Sequence, residues 1–470
     1  MPSDRLKLSR QLWFLAWPLI ISRSCQAVIG FTDALFAGRL GEVELAAVTT
    51  GALNTYAVFI FPIGTVGILA SFVSQYFGRG EARTCRRYGW YGLIIAVFSQ
   101  AGAAILILSL PKIFSLLNMP RPVENMMVSY MAIRLWSTGF VALQEALSNY
   151  YCGMGITRLP MYANMLTMII NVPFAWVLMF GGWGLPAMGT DGAAWASLLA
   201  TMCSSLLLFA YFARGSKTDV DPASSSAQAV QPESSPKPGG RRVWLSELAA
   251  VLRYGLPNGL NWFLEFAAFL FFINVVVSGL GTTSLAAMNA VFQINGLAFM
   301  PTFGLASAGA ILAGQVIGAS RPDRVAGIVK LTFLWSAVWM AAVAAVYLLL
   351  PRQIFALFVI KGQDAGLLQS GALVLMLSAG WQIFDALGMT LSEALRAAGD
   401  TLFCLYARVV LGWLFFAPLS YLWVFVGGGG LAEATFSIIL YLGALAAALL
   451  WRFLRGNWKE IRLTESLQPG

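Results

Sequence analysis

Three carboxylates sit where a chain this apolar should carry no charge. Asp33 lies in GFTDALFAG (Gly30–Gly38), at the end of the run QLWFLAWPLIISRSCQAVIGFTDALFAG. Glu265 lies in GLPNGLNWFLEFAAF, and Asp385 in LSAGWQIFDALGMTLSEALR. On a helix, Arg23, Gln26, Gly30 and Asp33 fall at i, i+3, i+7 and i+10 and share one face. Asn258, Asn261 and Glu265 form the same kind of stripe. Ser378, Gln382 and Asp385 share another face, and Asn289 and Gln293 stand one turn apart. Pro257 frees a backbone carbonyl near the second stripe. Carboxylate and amide oxygens are hard ligands. At similar depth, Glu265 and Asp385 with these amides suit Na⁺ or a shared proton. Asp33 reads as a carboxylate that loads and releases a proton. The same residues would equally make a static hydrogen-bonded network, because buried polar groups need partners in any case. Spacing alone leaves both readings open.

Other chemistry is excluded by what the chain lacks. It has no histidine, which removes His-based proton relays, His metal sites and Ser-His triads. Cys25, Cys85, Cys152, Cys203 and Cys404 are scattered without CxxC spacing and read as free thiols in apolar surroundings. No Walker A or other phosphate-binding loop occurs, so ATP is not the energy source on this chain and no cofactor is expected. Coupling to an ion gradient remains. Met and aromatic side chains (17 Met, 13% aromatic) mostly face lipid or pack helices, with a minority left to line an apolar cleft for flat lipophilic cations.

The elements that position these residues are membrane helices. Of 470 residues, 59% are hydrophobic and 11% charged, with mean hydropathy +0.74. A soluble protein carries about 25% charged residues. Twelve spans are expected, at about 11–37, 45–77, 88–110, 125–152, 160–181, 190–213, 247–279, 285–318, 326–350, 367–396, 402–425 and 431–453. No cleavable signal peptide is apparent. The net charge of +9 reflects topology rather than nucleic-acid binding. With the N-terminus inside, 23 Lys and Arg fall in cytoplasmic segments, Arg408 among them, and five in outer loops. This split puts both termini in the cytoplasm. Glu145 and Arg134 read as a pair within span four or between lobes. Glu393, Arg396 and Asp400 read as solvated or capping residues near a cytoplasmic helix end, and Asp364 as wet.

The Ser/Pro/Gly-rich stretch Gly215–Val243 reads as a flexible cytoplasmic linker. It divides an N-lobe (1–214, helices 1–6) from a C-lobe (244–455, helices 7–12), followed by a cytoplasmic tail (456–470). The lobes look related. Arg39–Gly51 resembles Gly279–Val291, Phe61–Gly78 parallels Met300–Gly318, and Pro18 matches Pro257, at an offset close to 240; Gly153–Tyr162 parallels Ala397–Tyr406 at 244. Each half starts inside and has an even span count. The repeat is therefore parallel, and two such lobes imply a central cleft that opens alternately to either side.

The segments Pro18–Val48, Pro62–Gly78, Gly255–Glu265 and Gln382–Thr401 together resemble the multidrug and toxic compound extrusion (MATE) family, and within it the NorM-type branch, over about 11–455. The resemblance implies twelve helices in two six-helix lobes and export of lipophilic, often cationic, drugs driven by H⁺ or Na⁺. It matches Asp33 to the family's N-lobe carboxylate, Glu265 and Asp385 to the C-lobe cation pair, and Asn171 to an asparagine beside the first carboxylate. Some members carry an Asp one turn after that asparagine. This chain has Ala175, which favours a C-lobe role. The expectation is a monomeric, multi-pass inner-membrane antiporter with no enzymatic activity. The alternative is a lipid-linked-precursor flippase of the same superfamily, which would line its cleft with cations for pyrophosphate; here the spans hold only Arg23, Arg134 and a few residues near helix ends. A channel or receptor would not need a duplicated two-lobe cleft.

Overall fold

The structure, a computed structural model, describes residues 2–114, 121–215, 241–356, 365–461 and 463–464. Most of the linker, Asp364 and the end of the tail lie outside the described residues. The helices, in chain order, are α1 (Pro2–Leu40), α2 (Glu42–Gly67), α3 (Leu69–Gly78), α4 (Ala82–Phe114), α5 (Arg121–Leu135), α6 (Thr138–Gly153), α7 (Arg158–Phe180) and α8 (Thr190–Arg214). After the linker come α9 (Arg241–Phe271), α10 (Thr282–Gly318), α11 (Val325–Leu349), α12 (Pro351–Phe355), α13 (Ala365–Ser378), α14 (Gln382–Ala398), α15 (Thr401–Arg408), α16 (Ala417–Tyr421) and α17 (Leu431–Arg455). No strand occurs among the described residues. In hydrocarbon an open strand edge would leave backbone groups unpaired, whereas a helix satisfies its own.

Among the described residues, ten helical stretches are long and apolar enough to cross a membrane. Two bent pairs, α5 with α6 and α13 with α14, bring the number to the expected twelve. The protein is a polytopic helical membrane protein. Its surface agrees: Leu108 is 82% exposed and Phe98 72%, side chains that a soluble surface of this extent would not carry.

The bent spans are broken for local reasons. Between α5 and α6, which meet at 46°, Trp136 and Ser137 bond back three residues rather than four, and the Ser137 and Thr138 hydroxyls each donate to carbonyls three residues earlier, at 2.6 Å. Between α13 and α14, bent by 50°, Ala379, Gly380 and Trp381 do the same and Ser378 Oγ donates to the Leu375 carbonyl. A break at this depth is tolerated because side-chain hydroxyls satisfy the freed carbonyls. π-helical turns interrupt the seventh and eleventh spans at Phe272–Val277, Val409–Phe416 and Leu422–Val426.

By contact the chain forms two compact units. One comprises the described residues of Met1–Ile20 and Leu260–Ser466; the other spans Ile21–Gly259. The divisions fall inside α1 and α9, two residues past Pro18 and Pro257 in each case. In the first unit, α10, α11, α13, α14 and α17 pack around Phe272, Phe416 and Tyr441, whose rings lie 5.2 and 5.0 Å apart in sequence. The start of α1 is tied in by Trp13 against Trp335, whose Nε1 donates to Ser9 Oγ at 3.1 Å. In the second unit, α2, α4, α5, α6, α7 and α8 surround Phe36, Phe59, Met127, Tyr130 and Met179.

The first half of α9 is fastened within the second unit at two levels. Glu247, buried, takes Arg87 Nη1 at 3.0 Å and the Tyr91 hydroxyl at 2.6 Å. Further along, Gly255 and Gly259 let α9 approach α2 backbone to backbone. A Cβ on Gly259 would stand 2.5 Å from the Phe61 carbonyl oxygen, and one on Gly64 would stand 2.8 Å from the Gly259 Cα. Asn258 Nδ2 donates to the Gly64 carbonyl at 2.6 Å at this crossing.

Candidate functional site

In the second unit α1, α7 and α8 bring Asp33, Asn171 and Ser197 together. All three are buried. Asn171 Nδ2 donates to Ser197 Oγ at 2.9 Å, and Ser197 Oγ donates to Asp33 Oδ2 at 3.3 Å. Asp33 Oδ1 and Asn171 Oδ1 have no hydrogen-bond partner among the described residues. A buried carboxylate oxygen left without a donor is a costly arrangement as it stands.

Gln26 belongs to a different network one helical stretch away. Its Nε2 reaches Asn164 Oδ1 at 3.4 Å, and Asn164, Gln144, Thr167, Ser204 and Ser22 bond one another at 2.7–3.3 Å. Ser197 and this network were not singled out from the sequence. The signal was present: Asn164, Thr167 and Asn171 repeat at i, i+3, i+7 on α7, as Ser197, Thr201 and Ser204 do at i, i+4, i+7 on α8.

The expected Glu145–Arg134 pair does not form. Glu145 takes Arg23 Nη2 at 2.6 Å, whereas Arg134 lies over the Phe59 ring at 5.4 Å with Nη1 3.5 Å from Ser137 Oγ. The break after Leu135 turns Arg134 and Glu145 onto separate helices. Glu393 and Asp400 are not solvated either. Both are buried, in ion pairs with Arg396 and with Arg452, the latter at 2.7 Å. Glu433 caps the start of α17, accepting from the Gly430 amide at 2.7 Å.

In the first unit Glu265, partly buried on α9, is ion-paired with Arg408 at the end of α15. Arg408 is buried in the eleventh span rather than lying in a cytoplasmic segment, and its Nη2 also donates to Ser392 Oγ at 3.3 Å. Arg408 stands a few residues from the start of the span, and the helix turns it inward. Asp385, in the first turn of α14, is partly buried and makes no side-chain hydrogen bond or ion pair with the described residues. The Tyr441 hydroxyl, buried and without a hydrogen-bond partner, is within electrostatic reach of both Arg408 and Asp385. Asn261 is buried one turn before Glu265 with Oδ1 undonated. Gln382 donates to Asn295 Oδ1 at 2.6 Å, and Asn295 Nδ2 reaches Ser378 Oγ at 3.4 Å. It is thus Asn295 that ties α10 to this face, while Asn289 and Gln293 are exposed.

A model of the family described as MatE matches residues 18–177 and 259–422. The chain belongs to the MatE family. The two matched stretches begin 241 residues apart, in keeping with the internal repeat. Proteins described as probable multidrug resistance protein NorM are similar along nearly the whole length. The one from Neisseria meningitidis serogroup B is 26% identical over 451 residues, 95% of this chain and 94% of its own. The one from Pseudomonas putida is 27% identical over 467 residues, 98% and 96%. Among solved structures, the eukaryotic MATE transporter AtDTX14 superposes with a TM-score of 0.85 at 18% identity, covering 99% of this chain and all of its own. A MOP superfamily transporter from Pyrococcus furiosus, described as having a binding pocket of reversed polarity, superposes at 0.84 and 17%, covering 96% and 97%. These structures share the fold.

Among the described residues of this MatE chain, no three acidic or thiol groups gather to hold a metal ion. A small cation would have to be held by one or two carboxylates with amide and hydroxyl oxygens. The second unit also contains an apolar cavity of about 500 Å³ between α2, α4 and α9, lined by Phe61, Phe98, Leu106, Leu248 and Leu252 among others; none of the three carboxylates faces it.

Proposed function

We propose that this MatE protein is a cation-coupled multidrug efflux antiporter, driven by H⁺, Na⁺ or both, that exports lipophilic, often cationic, organic compounds by alternating access. It works as a monomer in the inner membrane with both termini cytoplasmic, and it carries out no catalysis. The observation that carries this reading is a pair of carboxylates that form no ion pair among the described residues: Asp33, with one oxygen undonated and Arg134 only within electrostatic reach, and Asp385, with no side-chain partner. Ionisable groups at this depth are costly and persist where an ion or proton uses them. The similarity to proteins named for multidrug resistance supports the substrate class.

In this reading 1–214 and 244–455 act as the two lobes. Asp33, supported by Asn171 and Ser197, takes a proton. Asp385 and Glu265, with Asn261 and Gln382 nearby, take a proton or Na⁺. Ion and drug each favour one side of a shared conformational equilibrium, so loading of one releases the other. The flippase alternative finds no support, because two arginines within the spans, Arg23 and Arg408, are already paired with carboxylates.

The test is ethidium efflux from proteoliposomes under separately imposed proton and sodium gradients. Efflux is expected to follow at least one gradient and to fall more than tenfold in Asp385→Asn and in Asp33→Asn, with unfolding temperatures unchanged. Full efflux by both variants, or efflux indifferent to both gradients, would remove the basis of the proposal.

A further inference from the structure

Glu265 is already occupied. The Arg408 guanidinium pairs with it through Nη1 while Nη2 is held by Ser392 Oγ at 3.3 Å, and the Arg408 side chain is only 8% exposed. Arg408 Nε is buried without a hydrogen-bond partner, so the guanidinium is oriented by these two contacts rather than solvated. The backbone around it is equally specific. The π-helical segment Val409–Phe416 begins at the next residue, and from within it Trp413 Nε1 donates to the carbonyl of Leu264, the neighbour of Glu265, at 3.1 Å. A π-helical turn is a rare device that is frequent at functional positions. Here it joins the seventh and eleventh spans at the carboxylate through two contacts. Asp385 has no such cation; the Tyr441 hydroxyl is within electrostatic reach of both Asp385 and Arg408.

We propose that Arg408 is a tethered competitor for the cation site. It fills Glu265 whenever no transported ion is bound, and a small cation gains that carboxylate only when Arg408 gives it up. The inference rests on the reading of Glu265 as part of a cation site, and it assigns a residue that sets the site's affinity. With Arg408 in place Glu265 is neutralised, so an incoming ion finds no free carboxylate there; with Arg408 displaced it meets a charged one. A site that is competent for only a fraction of the time binds with its affinity lowered by that fraction. An internal cation that occupies Glu265 nine-tenths of the time therefore weakens ion binding about tenfold. Such a competitor keeps the empty carrier from holding a buried, unanswered charge, the state that costs most in a low-dielectric interior. It also keeps the ion's grip loose enough for release.

The test is equilibrium binding of radioactive Na⁺ to the purified full-length protein at pH 8, with choline as the replacement cation. Arg408→Gln is expected to bind Na⁺ at least tenfold more tightly than wild type. The gain should vanish in the double variant Glu265→Gln/Arg408→Gln. Arg408→Lys, which keeps a cation on the stem, should return to within about threefold of wild type. Where Arg408→Gln yields no folded protein, Ser392→Ala carries the test, since it frees the guanidinium from one of its two anchors and should tighten Na⁺ binding about threefold. Unchanged or weaker Na⁺ binding in whichever of these two variants is measured overturns the proposal, as does a gain that survives loss of Glu265. Because binding is read without transport, a protein that passes here and shows no gradient-dependent efflux would refute the antiporter reading alone.

Discussion

A carboxylate oxygen that receives no donor is an unstable feature unless something visits it. Asp33 has one such oxygen, and Ser197 is the donor on the other. Ser197→Ala should therefore lower stability by about 1–3 kcal/mol, the range for stranding a buried polar group, read as a fall in unfolding temperature of the purified protein. Ser197→Thr should restore most of it, and a wild-type melt for the alanine variant would show that the contact holds nothing. Asp33 is legible in the sequence because a charge stands out in an apolar span, and Asn171 only through the family resemblance. Ser197 is not, since a lone hydroxyl in a helix can be satisfied by its own backbone four residues back. Arg408 was misread for a different reason. Near the end of a span, distance along the chain suggests water, whereas the face of the helix decides, and its face is turned to Glu265.

At the level of helices, hydropathy revealed all twelve spans because apolar length is a property of composition. The breaks in the fourth and tenth spans were not visible, since neither carries a proline at the bend. The closeness of α9 to α2 was also hidden, although Gly255 and Gly259 stand four apart in the quoted GLPNG. Gly259→Leu should drive a side chain into the Phe61 carbonyl and Thr65 and cost about 1–3 kcal/mol or more, as overpacking does. Gly327→Ala on α11 meets nothing within 4 Å and should leave stability unchanged or raise it by up to about 1 kcal/mol. Thermal unfolding of the two variants in one detergent checks both. Equal melting temperatures would mean that the α2–α9 crossing is looser than its geometry implies.

For the whole molecule, the linker is an obvious division in sequence, but compactness divides the chain elsewhere, inside α1 and α9. Each unit includes the leading half of a helix from the other side of the linker. The covalent connection between Gly215 and Arg241 is then dispensable for holding the protein together. Cleavage at a protease site inserted there should leave two fragments that copurify in mild detergent and retain dye efflux. Residues 244–470 expressed alone should aggregate, lacking the strand of contacts that Trp13 and Ser9 make with Trp335. Fragments that separate freely would contradict this. The broken spans carry a consequence for biogenesis. Over the described residues α13 has 14 residues and α5 has 15, about 21 and 22 Å of helix, less than a hydrocarbon layer of roughly 30 Å. As the nascent chain leaves the ribosome, neither half offers the translocon a complete stop. Each must wait for its second half to be synthesised, so the fourth and tenth spans are the points where membrane integration is expected to pause.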